Sequence, residues 1–225
     1  MKIVNSRLGL EVEFLENQVL NLTLESPGYF AKMVYSIGKQ IDGEEGELII
    51  SDSEKEISLE KKAIIITNPL MVNCNEKKIL TQLYKNLSEK IVQDYSMEFA
   101  KINQQIITFM ELLANSSEYN LTMDVDLQAL GLVKYCNVYV DTYYDNLAEK
   151  FIDYLRAMKT ICKIDIVFVL NIKQYFNTSE LEEIYKYCFY MKIYLINLEG
   201  IKSNPIKQDK YIIIDKDLCI LEILY

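Results

Sequence analysis

The segment from Lys163 to Glu199 constrains the fold more than any other part of the chain. It opens with Ile164, Ile166, Val167, Phe168, Val169 and Leu170, a short β-branched run that reads as a strand buried on both faces. Thr178 or Ser179, followed by Glu182, offers a capping box for the helix that comes next. Leu181, Ile184, Tyr185, Cys188 and Phe189 recur at helical spacing, and Ile193 to Leu198 supply a second apolar strand. Two buried strands joined by a crossover helix make a right-handed βαβ unit. The expected class is therefore α/β, with both strands central in a mostly parallel sheet.

The first part of the chain fits that class. Met1 to Asn5, Leu10 to Phe14 and Val19 to Leu24 read as strands. Ser26-Pro27 then starts a helix to about Ile41, with serine as N-cap and proline at the first helical position. A strand-turn-helix at this place is where a phosphate-binding loop would sit. The turn, Leu24-Glu25-Ser26-Pro27-Gly28-Tyr29, has one glycine and no Gly-Lys-Ser/Thr, so it lacks the converging N–H groups and the lysine that phosphate requires. Glu47 to Ser51, Lys55 to Leu59 and Ala63 to Thr67 are further strands.

The middle is helical. Apolar spacing predicts helices over 76–94, 96–115 and 144–162. Between them Asn120 to Asp126 reads as a short strand, and Asp126 to Leu130 as a short helix ended by Gly131. The tail returns to β structure at Tyr211 to Leu218 and Cys219 to Leu224. The expected organisation is an α/β head from residues 1–75 and 163–225, with 76–162 inserted as a helical lobe.

Composition narrows the chemistry. The 225 residues include no histidine, which removes the usual general base, the usual zinc ligand and every Ser-His or Cys-His nucleophile. Hydrolysis would have to run on carboxylates and a hard metal. The five cysteines are scattered without a Cys-x-x-Cys pair and are expected to be mostly buried, reduced thiols. No apolar run approaches the ~18 residues of a membrane span, and the N-terminus lacks a signal-peptide core. A cytoplasmic protein without membrane contact is expected.

A net charge of −9 opposes casual nucleic-acid binding, so duplex DNA would need its cations gathered on one face. Arg156, Lys159 and Lys163 fall on one stripe of the third helix, and Lys78 and Lys85 on one stripe of the first. Glu149 and Glu89 share those stripes, so ordinary solvated faces are the alternative. With no aromatic interleaved for base stacking, contact would be to the backbone without sequence readout. Glu118, Asp124 and Asp126 form the candidate set for a hard cation, although no spacing matches an EF-hand loop.

Several blocks together resemble the DNA-end-binding ring protein family of type II-A CRISPR systems. They are Ile64-Ile-Ile-Thr-Asn-Pro-Leu followed by Asn75 and a Leu-rich helix; Leu121-Thr-Met leading to Leu127-Gln-Ala-Leu-Gly-Leu-Val-Lys134; the βαβ segment; and Tyr211-Ile-Ile-Ile-Asp-Lys-Asp217. The resemblance implies an ATPase-like head without its phosphate loop, a helical leg and a homotetrameric ring. It also implies bound calcium, a basic channel that threads double-stranded DNA ends, and a non-catalytic role in spacer acquisition beside the integrase and the effector nuclease. Two other readings remain: a carboxylate- and metal-dependent nuclease or NTPase, and a structural adaptor without DNA contact.

Overall fold

A computed structural model describes residues 1–53 and 55–223. In chain order the elements begin with β1 (Lys2–Asn5), β2 (Leu10–Glu13), β3 (Val19–Leu24), α1 (Pro27–Ile41), β4 (Leu48–Asp52), β5 (Lys55–Glu56), α2 (Leu59–Lys62) and β6 (Ala63–Ile66). The helices α3 (Lys77–Asp94), α4 (Ser96–Asn115), α5 (Ala129–Tyr135) and α6 (Leu147–Thr160) follow. The chain then forms β7 (Ile166–Leu170), α7 (Thr178–Met191), β8 (Tyr194–Glu199), β9 (Asp209–Ile214) and β10 (Ile220–Ile223). It divides into two compact units, Met1–Asn73 with Thr142–Tyr225, and Cys74–Asp141.

The first unit is α/β. Its larger sheet has six strands in the order β10-β9-β3-β8-β7-β6. All neighbours are parallel except the β10–β9 pair at the edge. β7 and β8 are both interior, as the apolar runs require, with Phe168 opposite Ile196 and Val167 opposite Leu195. A smaller antiparallel sheet has the order β2-β1-β4-β5. The expected final strand runs past Ile223 to Leu224, which lies outside the described residues.

One apolar cluster joins the two sheets. Leu20, Leu22 and Leu24 of β3, Phe168 of β7 and Ile196 of β8 pack with Met33 and Ile37 of α1 and with Ile3, Val12 and Ile50 of the small sheet. Each such side chain contributes about 1.5–3 kcal/mol by leaving water. Helix α1 spans the expected residues, although the Ser26 side chain makes no cap hydrogen bond. For α7 the sequence places the cap one residue late. Asn177, not Thr178 or Ser179, is the N-cap: Asn177 Oδ1 accepts from Glu180 N at 3.1 Å and Glu180 accepts from Asn177 N at 2.8 Å. Asparagine is at least as good a cap as serine or threonine, and the glutamate at the third helical position closes the box.

Helix α6, grouped with the helical lobe on sequence, lies in the first unit and packs on α7. Its Phe151, Leu155 and Met158 are buried, and the Phe151 and Phe176 rings are 5.4 Å apart. Amphipathicity fixes that a helix has a buried face but not which partner covers it. None of the five cysteines is in a disulfide among the described residues: Cys74 and Cys188 are buried, Cys162 is half-buried, and Cys136 and Cys219 are exposed. Burial pushes the Cys188 thiol up to about 12.

Alternation along β3 sends Asn21 and Thr23 to the sheet face opposite the apolar cluster. There a buried polar network forms. Lys173 Nζ lies 2.7 Å from Asp209 Oδ2, and Asn21 Nδ2 donates to Asp209 Oδ1 at 2.6 Å. Asn197 Nδ2 donates to Asn21 Oδ1 at 2.6 Å and to Glu199 Oε1 at 2.8 Å. Burial raises the pKa of Glu199, opposed by the hydrogen bonds from Asn197 and from the Lys173 backbone. A carboxyl that holds its proton more tightly when folded favours the native state at low pH. That advantage is lost as pH rises through the raised value. Glu199→Gln is therefore expected to flatten a decline in stability that sets in as pH rises above the ordinary glutamate range, read as urea midpoints at several pH values.

The second unit contains α3, α4 and α5. Two expectations change here. Asn120 to Asp126 has no helix, turn or bend and joins no strand among the described residues, because a ladder needs a partner and sequence pattern does not supply one. The short helix expected to stop at Gly131 instead starts at Ala129 and runs through Gly131 to Tyr135. Ala129 and Val133 are buried one turn apart, and α5 packs on α3. That packing outweighs the ~1 kcal/mol cost of a helical glycine.

Candidate nucleic-acid interface

The turn from β3 into α1 sits where a nucleotide-binding sheet holds phosphate. Glu25 N donates to Ile214 O at 3.0 Å, tying the turn to β9 instead of leaving its N–H open. Pro27 occupies the first helical position and has no N–H to offer. The turn brings a carboxylate and no cation to this place.

The basic stripe expected on α6 is largely spent on local contacts. Arg156 pairs with Asp153 at 2.8 Å, and its Nε donates to the Tyr187 hydroxyl at 3.3 Å. Lys159 pairs with Asp165 at 2.7 Å and also donates to Lys192 O at 2.9 Å. Lys163 lies beyond the helix at φ 60°, and its Nζ donates to Thr160 O at 2.8 Å. The stripe is thus broken after Thr160, where the chain turns towards β7. Periodicity alone cannot show where a helix stops when the stop is a left-handed residue other than glycine.

Asp165 anchors this corner. Burial raises its pKa, but hydrogen bonds from Lys159 and Lys62 outweigh that and hold the carboxyl below its ordinary value. Asp165 N also donates to Lys62 O at 2.9 Å, where β7 meets β6.

The lysines of the second unit are differently placed. Lys78 and Lys85 are both exposed on α3, as expected. Lys77 lies on the same side, within about a third of a helical turn. A groove of about 650 Å³ is lined by Lys77, Leu80, Tyr84, Lys85, Leu130 and Lys134, among others. None of Lys77, Lys78, Lys85 and Lys134 makes an ion pair among the described residues. The structure thus separates the five expected cations: Arg156 and Lys159 are ion-paired, whereas Lys78, Lys85 and Lys163 are in no ion pair among the described residues, Lys163 donating only to the Thr160 carbonyl. Lys77 is legible in the sequence as a neighbour on the α3 stripe. Lys134 becomes visible only once α5 docks on α3.

Glu118, Asp124 and Asp126 are all exposed. Asp126 accepts a hydrogen bond from Gln128 Nε2 at 2.5 Å. Among the described residues, no group of three or more acidic or cysteine side chains gathers as a metal site would require. These three carboxylates of a single copy therefore do not fit the expected calcium ion, which takes ~6–8 oxygen ligands.

A head-like α/β unit without phosphate-binding chemistry, joined to a unit with an unpaired lysine face, can be compared with known families. The family model for CRISPR-associated protein (Cas_Csn2) matches residues 40–218. The chain belongs to that family. The Cas_Csn2 match runs from the end of α1 past β9, so it takes in most of the large sheet, the α3 lysines and the groove. A comparison with curated proteins returns no match. No helix among the described residues is long and apolar enough to cross a membrane.

The Asp165 corner can be tested directly. A carboxyl held low when folded stabilises the native state above its unfolded pKa, and that stabilisation disappears as pH falls through the depressed folded value. Asp165→Asn is expected to cost roughly 1 kcal/mol near neutral pH, allowing for solvent screening of a partly exposed site. The deficit should shrink in acid, as followed by urea denaturation at several pH values.

Proposed function

We propose that this CRISPR-associated chain is a non-catalytic, sequence-independent binder of double-stranded DNA ends that acts in spacer acquisition as a homotetrameric ring. Its partners in that reading are the adaptation integrase and the effector nuclease. The observation that carries DNA binding is the lysine face of the second unit. Lys77, Lys78, Lys85 and Lys134 make no ion pair among the described residues, in a chain whose net charge is −9. A cation already paired with a carboxylate releases little on meeting phosphate, whereas an unpaired one releases the phosphate counterion in full.

Self-association is supported by α4. This helix has no buried residue, and Met97, Phe109 and Leu112 are 71%, 59% and 64% exposed. Large apolar side chains this exposed along a helix that buries none of its residues favour an interaction surface. A ring of identical chains would cover it by symmetry.

The discriminating experiment is binding of a linear duplex across a salt series. Lys78→Ala with Lys85→Ala should weaken binding and reduce the slope of log affinity against log salt by about one for each phosphate no longer neutralised. Arg156→Ala should leave that slope nearly unchanged, since its charge is already met by Asp153. No binding of linear duplex at low salt would end the DNA reading. Light scattering on the same preparations is expected to give a mass of about four chains, and a strict monomer would end the ring.

A further inference from the structure

The segment from Tyr119 to Leu127 has the sequence of a β-strand and no strand to pair with. Apolar and polar residues alternate without a break over its nine positions: Tyr119, Leu121, Met123, Val125 and Leu127 on one side, Asn120, Thr122, Asp124 and Asp126 on the other. Such alternation specifies a ribbon with one covered and one wet face. Yet among the described residues no backbone group from Asn120 to Leu127 makes a hydrogen bond within the chain. Tyr119 and Leu121 are 77% and 55% exposed. Open N–H and C=O groups along an extended apolar-sided segment are a template for another chain.

We infer that this segment pairs antiparallel with the same segment of a second copy, about a two-fold axis through Met123. This rests on the self-association part of the reading above and names one of its seams. The register follows from charge. Centred on Met123, the pairing sets Asp124 opposite Thr122, Asp126 opposite Asn120 and Glu118 opposite Gln128, so every acid faces a neutral polar residue. Tyr119 then meets Leu127, and Leu121 meets Val125, on the covered face. Centring on Asp124 would bring Asp124 against itself, and centring on Thr122 would bring Asp126 against Glu118. Like charges directly opposite are destabilising. A slip by a single residue turns the apolar side to water. An isologous contact must be self-complementary, and this segment is so in one register.

Five residues of each copy on the covered side, with Met123 meeting Met123 at the axis, would leave water together. The ladder would at the same time satisfy backbone groups that the single chain leaves open.

The test uses the full chain with the exposed cysteines removed, as Cys136→Ser and Cys219→Ser. Paired residues in an antiparallel ladder have Cα atoms ~4.5–5.5 Å apart, within disulfide reach. Met123→Cys is expected to form a covalent dimer in high yield under mild oxidation. Thr122→Cys and Asp124→Cys should give little alone and a heterodimer when the two proteins are co-expressed. If light scattering shows a multimer while Met123→Cys remains uncrosslinked, or while Thr122→Cys crosslinks to itself equally well, this seam is wrong and the ring reading survives. If the protein is monomeric, both fail. Of Asp124→Pro and Val125→Pro, one removes a ladder N–H whichever pairs are the hydrogen-bonded ones, so at least one should abolish the Met123→Cys crosslink. Persistence of the crosslink in both variants would show a side-chain encounter without strand pairing and overturn the inference.

Discussion

The buried ion pair between Lys173 and Asp209 holds together the part of the molecule on which everything else is mounted. Its side chains are 7% and 0% exposed, so each charge depends on the other for most of its solvation. Asp209 begins β9, Lys173 follows β7, and Asn21 and Asn197 bridge them from β3 and β8. Four strands far apart in sequence are thereby locked in register by one network. Removing one member would leave an uncompensated buried charge, a loss of about 3–5 kcal/mol. The same lysine also reaches Asn204 O at 2.9 Å, and Asp209 accepts from Ile206 N at 2.7 Å. The loop between β8 and β9 is therefore fastened by the groups that fasten the sheet.

That arrangement lies along the strands β3, β8 and β9 of the large sheet. In this chain Asn21, Asn197, Glu199 and Asp209 hydrogen-bond among themselves and with Lys173, while the buried Tyr185 hydroxyl makes no hydrogen bond among the described residues. Polar groups that satisfy each other rigidify a core. The first unit is held by this buried network, whereas in the second unit α4 buries no residue and Lys77, Lys78, Lys85 and Lys134 make no ion pair among the described residues.

Among the described residues the second unit leaves three things unmet: lysines without an ion pair, an α4 that buries no residue, and a segment from Asn120 to Leu127 without a ladder. Each is a physical demand that a single chain leaves open, and each has a different answer. In the proposed reading, phosphate would meet the first, and identical chains would meet the second and third, because a segment whose acids face only neutral residues on self-pairing needs no other partner.

The sequence by itself determined the class of fold and the placement of its central strands. Ile166 to Leu170 and Leu195 to Leu198 are apolar on nearly all consecutive positions, and only interior strands of a covered sheet have both faces to bury. It also determined the bounds of α1, α3 and α4, since a 3.6-residue apolar period over four or five turns is a strong local signal. Only the tertiary structure decided the rest. Asn177 took the cap of α7 from Thr178, α5 ran through Gly131 because Ala129 and Val133 found α3, and α6 joined the first unit through Phe151 and Leu155. The same holds for the candidate site. Residue type and spacing showed Arg156, Lys159, Lys78 and Lys85 as equals. Asp153 and Asp165 neutralised the first two, and among the described residues no carboxylate met the others. Charge pairing depends on distances across elements, and a linear sequence encodes those only through the packing that it produces.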